Sequence, residues 1–247
     1  GVTVSRLRRL INHNMSAHNF GELYLINKKI AIQLYKNYLS SLCKILKEIG
    51  ININTIPVLD ILRKDTSKII GGRSFSSNKE VVKKVGKITV QECDSHKIIT
   101  VMKHIPGHGC GKSDSHLIMP KVNLTKSELN KYDFYPFKSN PAKIAMTAHI
   151  LYKKLDKKNV ATFSKKIIKE IIRKKIGFKG ILISDDISMK ALSNDLVLNA
   201  NKSLEAGCNL VLYCSGKIND NLKLIKSVPY IDKFTSKKTS EIYKFLR

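Results

Sequence analysis

The segment Lys103 to His116, KHIPGHGCGKSDSH, concentrates side chains that could do chemistry. Its three histidines, together with Asp114, are ligand types that suit zinc. Asp114 and His116 lie two residues apart, so the carboxylate could orient and stabilise the imidazole for acid–base work. Lys103 and His104 could donate hydrogen bonds to substrate hydroxyls. A third interpretation is a polar loop whose histidines, including His108, bond backbone groups. The residues alone leave all three open.

A second segment, ILISDDISM, places Asp185 and Asp186 directly after an apolar strand. Two adjacent carboxylates are costly to bury unless they have partners or a function. Both could cap the following helix. Alternatively, one of them could act as a nucleophile from the end of the strand.

Three further residues carry weaker signals. Arg73 follows a Gly-Gly turn in IIGGRSFSSN, where its guanidinium could clamp a carboxylate or several hydroxyls, or form a surface ion pair. His149 in MTAHI lies at a strand end and could be structural or functional. Arg6 in VSRLRRL is uninformative by itself.

The elements that must position these residues alternate between strands and helices. Apolar runs predict strands over residues 51–60, 97–104, 143–150, 180–186 and 209–214. Amphipathic spacing predicts helices over 26–50, 78–93, 125–134, 164–178 and 190–207, with two lysine-rich helices after them. The first helix is predicted to end at Gly50 and to carry Ile30, Leu34, Leu42, Ile45 and Ile49 near one face. Thr125 and Glu128 form a capping-box pattern, and Ser164 is predicted to cap the 164–178 helix.

This alternation predicts a parallel sheet in an α/β fold. The polar residues Asp60, Lys103, His104, His149 and Asp185 come where strands end, which is where ligands bind in such folds. No GxGxxG turn or GxxxxGK[ST] element is present, so a dinucleotide site or a P-loop is disfavoured. We predict one domain over residues 1–247, a (β/α)8 TIM-type barrel. Only five strands are evident, so we expect it to be incomplete at its N-terminus.

The amino-acid composition narrows the class of protein. The chain has 247 residues, 43% of them hydrophobic, which suffices for a packed core. Its formal charge of +26 comes mainly from lysine spread along the chain, a pattern that disfavours nucleic-acid binding as the primary role. No apolar run is long enough for a membrane span. Five cysteines without a CxxC pair favour thiols in a reducing compartment.

Taken in order, the segments resemble the β-N-acetylhexosaminidases of glycoside hydrolase family 3. The resemblance is carried by NTIPVLDI, IIGGRSFSSN, KHIPGHGCGKSDSHLIMP, MTAHILY, ATFSKKII, GFKGILISDDISMKAL and SLEAGCNLVLYC. It covers most of residues 1 to 215. The combination of KHxPGHG, DSH and SDDxSM at these distances is highly specific.

The resemblance implies a retaining enzyme that removes terminal β-linked N-acetylglucosamine from peptidoglycan-derived muropeptides, as a cytoplasmic monomer without metal or cofactor. It implies that Asp185 is the nucleophile and His116 the acid–base, supported by Asp114. Residues that match the family's sugar-binding positions are Arg73, Lys103, His104 and Arg6. The family's opening Asp-Gln-Glu-Gly-Gly-Arg run is not present here, where GVTVSR stands. We therefore expect a chain that lacks its N-terminal part; the alternative is an impaired remnant that folds poorly or only binds sugar.

Overall fold

A parallel sheet forms the centre of the molecule in the computed structural model, which describes residues 15–111, 118–192 and 194–247. Its five strands are in the order β1-β2-β4-β6-β7 and all pairs are parallel. The bounds are β1 Ile53–Asn54, β2 Ile99–Ile105, β4 Ile144–Thr147, β6 Ile181–Asp186 and β7 Leu210–Leu212. A separate parallel pair joins β3 (Lys121–Val122) to β5 (Leu151–Tyr152). The predicted α/β class and parallel sheet are confirmed.

Helices connect the strands. They are α1 Ala17–Ile26, α2 Lys28–Glu48, α3 Lys79–Ser95, α4 Lys126–Lys131, a π-helix Ile167–Lys175, α5 Leu196–Ala206, α6 Ile218–Ser227 and α7 Lys233–Leu246. The predicted caps at Thr125 and Ser164 are confirmed, since their hydroxyls accept the N–H groups of Glu128 and Ile167. The register and connections make the described strands one side of a (β/α)8-type barrel, which is incomplete over the described residues.

The predicted apolar face of α2 is wrong at three of its five positions, while Leu42 and Ile45 are half-buried and Leu42 packs against the core. Ile30, Leu34 and Ile49 are exposed. The buried face is instead Ala31, Tyr35, Leu39, Cys43 and Leu46, which packs against α3. A hydrogen bond of 2.9 Å between the hydroxyls of Tyr35 and Thr89 fixes this rotation of the helix, because both groups are buried.

Three predicted elements have different bounds. The strand expected over 51–60 pairs only as β1, and its continuation is a bridge from Val58 to Lys103, because Pro57 has no N–H to donate. The strand expected over 143–150 divides into β4 and β5. The helix expected from 190 begins only after Asp195, whose carboxylate caps α5.

Helix α7 packs against the concave face of the sheet. Ile99, Val101, Ile144, Met146 and Ile181 form a cluster on this face. The side chains of Ile242, Phe245 and Leu246 pack against it. Side chains alternate along a strand, so Lys103 and Asp185 point to this same face, at the other end of the sheet. Among the described residues, α7 thus packs against the part of this face away from Lys103 and Asp185.

Candidate active site

The carboxyl ends of β2 and β6 and the chain that follows β1 bring four polar residues together. Lys103 and His104 lie near the end of β2, Asp185 lies near the end of β6, and Asp60 follows the bridge at Val58. Asp60 and His104 are buried, and only Lys103 and Asp185 have partial access to solvent. The predicted convergence of strand-end side chains is confirmed for these residues.

Asp60 and His104 form a buried pair. Oδ2 of Asp60 lies 2.7 Å from Nδ1 of His104, and Oδ1 accepts the backbone N–H groups of His104 and His108 at 3.2 and 2.6 Å. Burial raises the pKa of Asp60, but His104 and the His108 N–H outweigh it and hold that pKa below its usual value. Burial lowers the pKa of His104 to about 4.

These two pKa shifts determine which nitrogen of the His104 imidazole carries the proton. A carboxylate only accepts hydrogen bonds, so Nδ1 of His104 carries the hydrogen. A neutral ring then leaves Nε2 as an acceptor, and Nε2 lies 3.9 Å from Oδ2 of Asp185. From its position in the sequence, His104 is predicted to donate to a substrate hydroxyl. The geometry instead makes it an acceptor, because its donor is used by Asp60.

Asp185 is an ionised carboxylate in a largely enclosed position. Its Oδ1 accepts the backbone N–H of Asp186 at 2.8 Å. Burial raises the pKa of Asp185, yet His104, His149, the Asp186 N–H and Lys103 together hold that pKa below its usual value. The carboxylate is therefore available as a charged nucleophile or electrostatic group at neutral pH.

Lys103 and Arg73 supply positive charge to the site, Lys103 beside Asp185 and Arg73 near Lys103. Burial and the Arg73 guanidinium lower the pKa of Lys103, Asp185 and Asp60 oppose them, and the resulting pKa is about 8. Nη1 of Arg73 donates to the carbonyl of Ile69 at 3.2 Å, which holds its side chain over the loop that carries it. The structure thus brings Lys103 to Asp185 and Arg73 near Lys103.

The loop after β2 is held from two sides. The Tyr152 hydroxyl donates to the carbonyl of Gly107 at 2.5 Å. A side chain at Gly109 would lie 2.0 Å from the carbonyl oxygen of Ile61, so only glycine fits this approach. His108 is buried, and its ring packs edge-on to that of His104. The loop therefore gives Asp60 its backbone donors in a fixed position.

His149 and Asp186 form hydrogen bonds that stabilise the chain next to Asp185. Nδ1 and Nε2 of His149 lie 2.8 Å from the Thr162 hydroxyl and 3.0 Å from the carbonyl of Asp186. Burial lowers the pKa of His149, which keeps the ring neutral. Asp186 does not cap α5: its Oδ1 accepts the N–H and hydroxyl of Ser188 and the N–H of Cys214.

Three predicted site residues, Arg6, Asp114 and His116, lie outside the described residues. Within the described ranges, no group of three His, Cys, Asp or Glu side chains is arranged to hold a metal ion. No helix in the part of the chain that the structure describes is long and apolar enough to span a bilayer. Sequence reasoning did not assign Asp60 or settle His149; the available signal was their position at strand ends.

Comparison with known families decides the relationship of this chain. The model of the family described as Glycosyl hydrolase family 3 N terminal domain matches residues 25–238. The chain belongs to this family.

Relatives in the family are named beta-hexosaminidase. That of Nitrosomonas eutropha is 31% identical over 220 residues, which cover 87% of this chain and 63% of the relative. That of Neisseria meningitidis serogroup C is 37% identical over 171 residues, which cover 67% of this chain and 47% of the relative. The chain thus spans less than two thirds of the length of these relatives.

Solved structures of the family share the fold. The crystal structure of NagZ from Neisseria gonorrhoeae in complex with N-trifluoroacetyl-D-glucosamine superposes with a TM-score of 0.82 at 26% identity, over 96% of this chain and 69% of that one. CbsA from Thermotoga neapolitana superposes with a TM-score of 0.71 at 31% identity, over 85% and 49% of the two chains.

Proposed function

We propose that this glycoside hydrolase family 3 chain is a retaining exo-β-N-acetylglucosaminidase. The observation that carries the proposal is Asp185, an ionised and largely enclosed carboxylate beside Lys103 and a neutral His104. Relatives are named beta-hexosaminidase, and a related structure holds an N-acylated glucosamine derivative. Both support a glycosidase that acts on an N-acetylated amino sugar.

In the proposed first step, Asp185 attacks the anomeric carbon and forms a glycosyl–aspartate ester. The bond from that carbon to the leaving oxygen breaks, and its electron pair goes to the oxygen. His116, oriented by Asp114, gives this oxygen its proton. In the second step His116 takes a proton from water, whose oxygen attacks the same carbon and releases Asp185. Two inversions give net retention.

The other site residues bind the sugar in this proposal. Nε2 of His104 accepts one substrate hydroxyl, because Asp60 holds the hydrogen on Nδ1. Lys103 and Arg73 donate to hydroxyls, and Lys103 balances the charge of Asp185. Arg6 is assigned to sugar binding from the family resemblance alone. We propose that terminal N-acetylglucosamine of peptidoglycan-derived muropeptides is the substrate.

The proposal also covers the domain organisation, the oligomeric state and the cellular compartment. We propose that residues 1–247 form one barrel domain and act as a monomer. We further propose the cytoplasm as the compartment. The five cysteines support a reducing compartment, since all are thiols and Cys43, Cys93 and Cys208 are buried in the core.

Hydrolysis of 4-nitrophenyl N-acetyl-β-D-glucosaminide tests the proposal. The folded chain should release nitrophenol, and Asp185→Asn should lower kcat on the order of a thousand-fold, because the amide cannot act as the nucleophile. The matched control is Asp94→Asn, which changes a half-buried carboxylate paired with Lys143 at the opposite end of the sheet. No turnover by the folded chain, or equal rates for parent and Asp185→Asn, would overturn the proposal.

A further inference from the structure

A cluster of cations and tyrosine rings lies next to the candidate site. We call it the basic-aromatic patch. It consists of Arg63, Lys79, Lys83, Lys131, Tyr132 and Tyr135. These residues come from three separate stretches of chain, so the patch exists only in the folded protein. Sequence composition showed lysine spread along the chain and gave no sign of it.

Each tyrosine of the patch faces more than one cation. The Arg63 guanidinium and the ammonium groups of Lys79 and Lys131 lie 5.3 to 5.5 Å from the ring centre of Tyr132. The ammonium groups of Lys79 and Lys83 lie 4.8 and 4.4 Å from the centre of Tyr135. Ring faces attract cations at these distances, so the tyrosines hold the lysines close together despite their mutual repulsion.

The charge of the patch is only partly balanced. Asp133 pairs with Arg63, and Glu80 accepts the Tyr135 hydroxyl. Among the described residues, Lys79, Lys83 and Lys131 form no ion pair, and Nζ of Lys79 donates only to the carbonyl of Lys131 at 2.9 Å. Tyr132 is 40% exposed. Lys131 is exposed and Lys79 and Lys83 are half-buried, so these three ammonium groups line this part of the surface, where an anionic ligand could pair with them.

The patch adjoins the site through its own residues. Arg63 lies three residues after Asp60, and its partner Asp133 has backbone atoms about 3 Å from where a side chain at Gly107 would begin. Lys79 is the first residue of α3, which follows the chain leaving Asp60. In a parallel α/β fold such connections start at the carboxyl ends of the strands, where Asp185 also lies. The patch therefore lies on the side of the site that Asp60 and Gly107 form.

We infer that the basic-aromatic patch is a subsite for carboxylate groups carried by the leaving-group side of the substrate. The inference rests on the proposed function and adds a second recognition element to it. Ammonium groups spaced around two tyrosines suit several carboxylates of a flexible chain, since each lysine can turn toward a different one. The sugar would be bound at Lys103, His104 and Arg73, and the anionic extension at the patch.

The test compares two substrates at low ionic strength. One is the neutral 4-nitrophenyl N-acetyl-β-D-glucosaminide, and the other is a synthetic N-acetylglucosaminide whose aglycone carries a tri-glutamate chain. The double variant Lys79→Gln, Lys83→Gln should raise KM about five-fold for the tri-glutamate substrate and leave the neutral substrate unchanged, because each exposed charge contributes modestly. The control, Lys84→Gln with Lys87→Gln, removes the same charge from exposed positions of α3 outside the patch.

A binding experiment tests the subsite even if the chain does not hydrolyse either substrate. Anisotropy of fluorescein-labelled tri-glutamate should show salt-sensitive binding that the Lys79, Lys83 variant weakens and the Lys84, Lys87 variant does not. Hydrolysis of neither substrate together with this binding would overturn the proposed function alone. Equal KM changes in both variants, or no specific loss of tri-glutamate binding, would overturn the subsite. Loss of binding to single-stranded oligonucleotide without loss for tri-glutamate would assign the patch to nucleic acid instead.

Discussion

The carboxylate of Asp60 holds the imidazole of His104 through Nδ1 at 2.7 Å, while His104 and His108 donate their backbone N–H groups to the same carboxylate. One buried side chain thus sets both the ring orientation and the loop that follows β2. The hydrogen bond to Asp60 also sets the tautomer of His104. In this tautomer Nε2 is an acceptor, and it lies 3.9 Å from Oδ2 of Asp185.

Asp60→Asn should reverse that tautomer. The amide would donate to Nδ1, so Nε2 would carry the hydrogen and donate to Asp185 instead of accepting a substrate hydroxyl. We expect kcat/KM for the chromogenic substrate to fall roughly a hundred-fold or more, as wrong tautomers do in catalytic sites. Nitrogen-15 NMR of the imidazole would report the proton position. In a His104→Gln background the same change should add little further loss, and full additivity would contradict the coupling.

We expect sugar binding to weaken at alkaline pH as Lys103 loses its proton. Its pKa of about 8 means that the ammonium is charged below that pH and neutral above it. We expect KM to rise as the pH passes through about 8. Because Arg73 lowers this pKa, Arg73→Gln should move the alkaline limb to higher pH, besides weakening binding. The exposed Arg247→Gln is the control for loss of a guanidinium, and a limb that stays in place in Arg73→Gln would contradict the assignment.

Gly109 should be needed for the loop rather than for chemistry. A methyl group there would lie 2.0 Å from the Ile61 carbonyl oxygen and 2.9 Å from the Ile61 nitrogen, both backbone atoms that cannot turn away. Gly109→Ala should lower the free energy of unfolding by about 1–3 kcal/mol or more. Gly72→Ala, whose nearest neighbour would be the Ser16 side chain at 3.5 Å, should be near neutral in the same denaturant titration. Equal midpoints for the two variants would refute this explanation.

The helix α7 should stabilise the sheet without touching the site. Phe245 packs against the concave cluster, and the ammonium groups of Lys143 and Lys97 lie 4.0 and 4.7 Å from its ring centre. Phe245→Ala should cost about 1–3 kcal/mol of stability, below the value for a fully buried ring. Tyr243→Ala on the same helix removes a ring that is 58% exposed and should change stability little. If both variants melt alike, α7 does not cover the cluster.

Much of this arrangement could be predicted from sequence because it depends on local signals. Strand-end polar residues converge in a parallel sheet by topology alone, and the cap at Thr125 uses residues three apart. The buried face of α2 could not be found this way. Ile30 and Leu34 are more apolar than Tyr35, but the hydroxyl of Tyr35 has a buried partner on α3, 54 residues away. The role of Asp60 could not be assigned for the same reason, since its partner His104 lies 44 residues further along the chain.

The most direct test of the account is to trap the covalent intermediate. A 5-fluoro N-acetylglucosaminyl fluoride carries a good leaving group and should form a slowly hydrolysed ester with the nucleophile. The account predicts that the intact mass rises by one sugar and that peptide mapping places the addition on Asp185, with none on Asp185→Asn. Labelling of another carboxylate, or turnover of the folded chain with no adduct at Asp185, would contradict it.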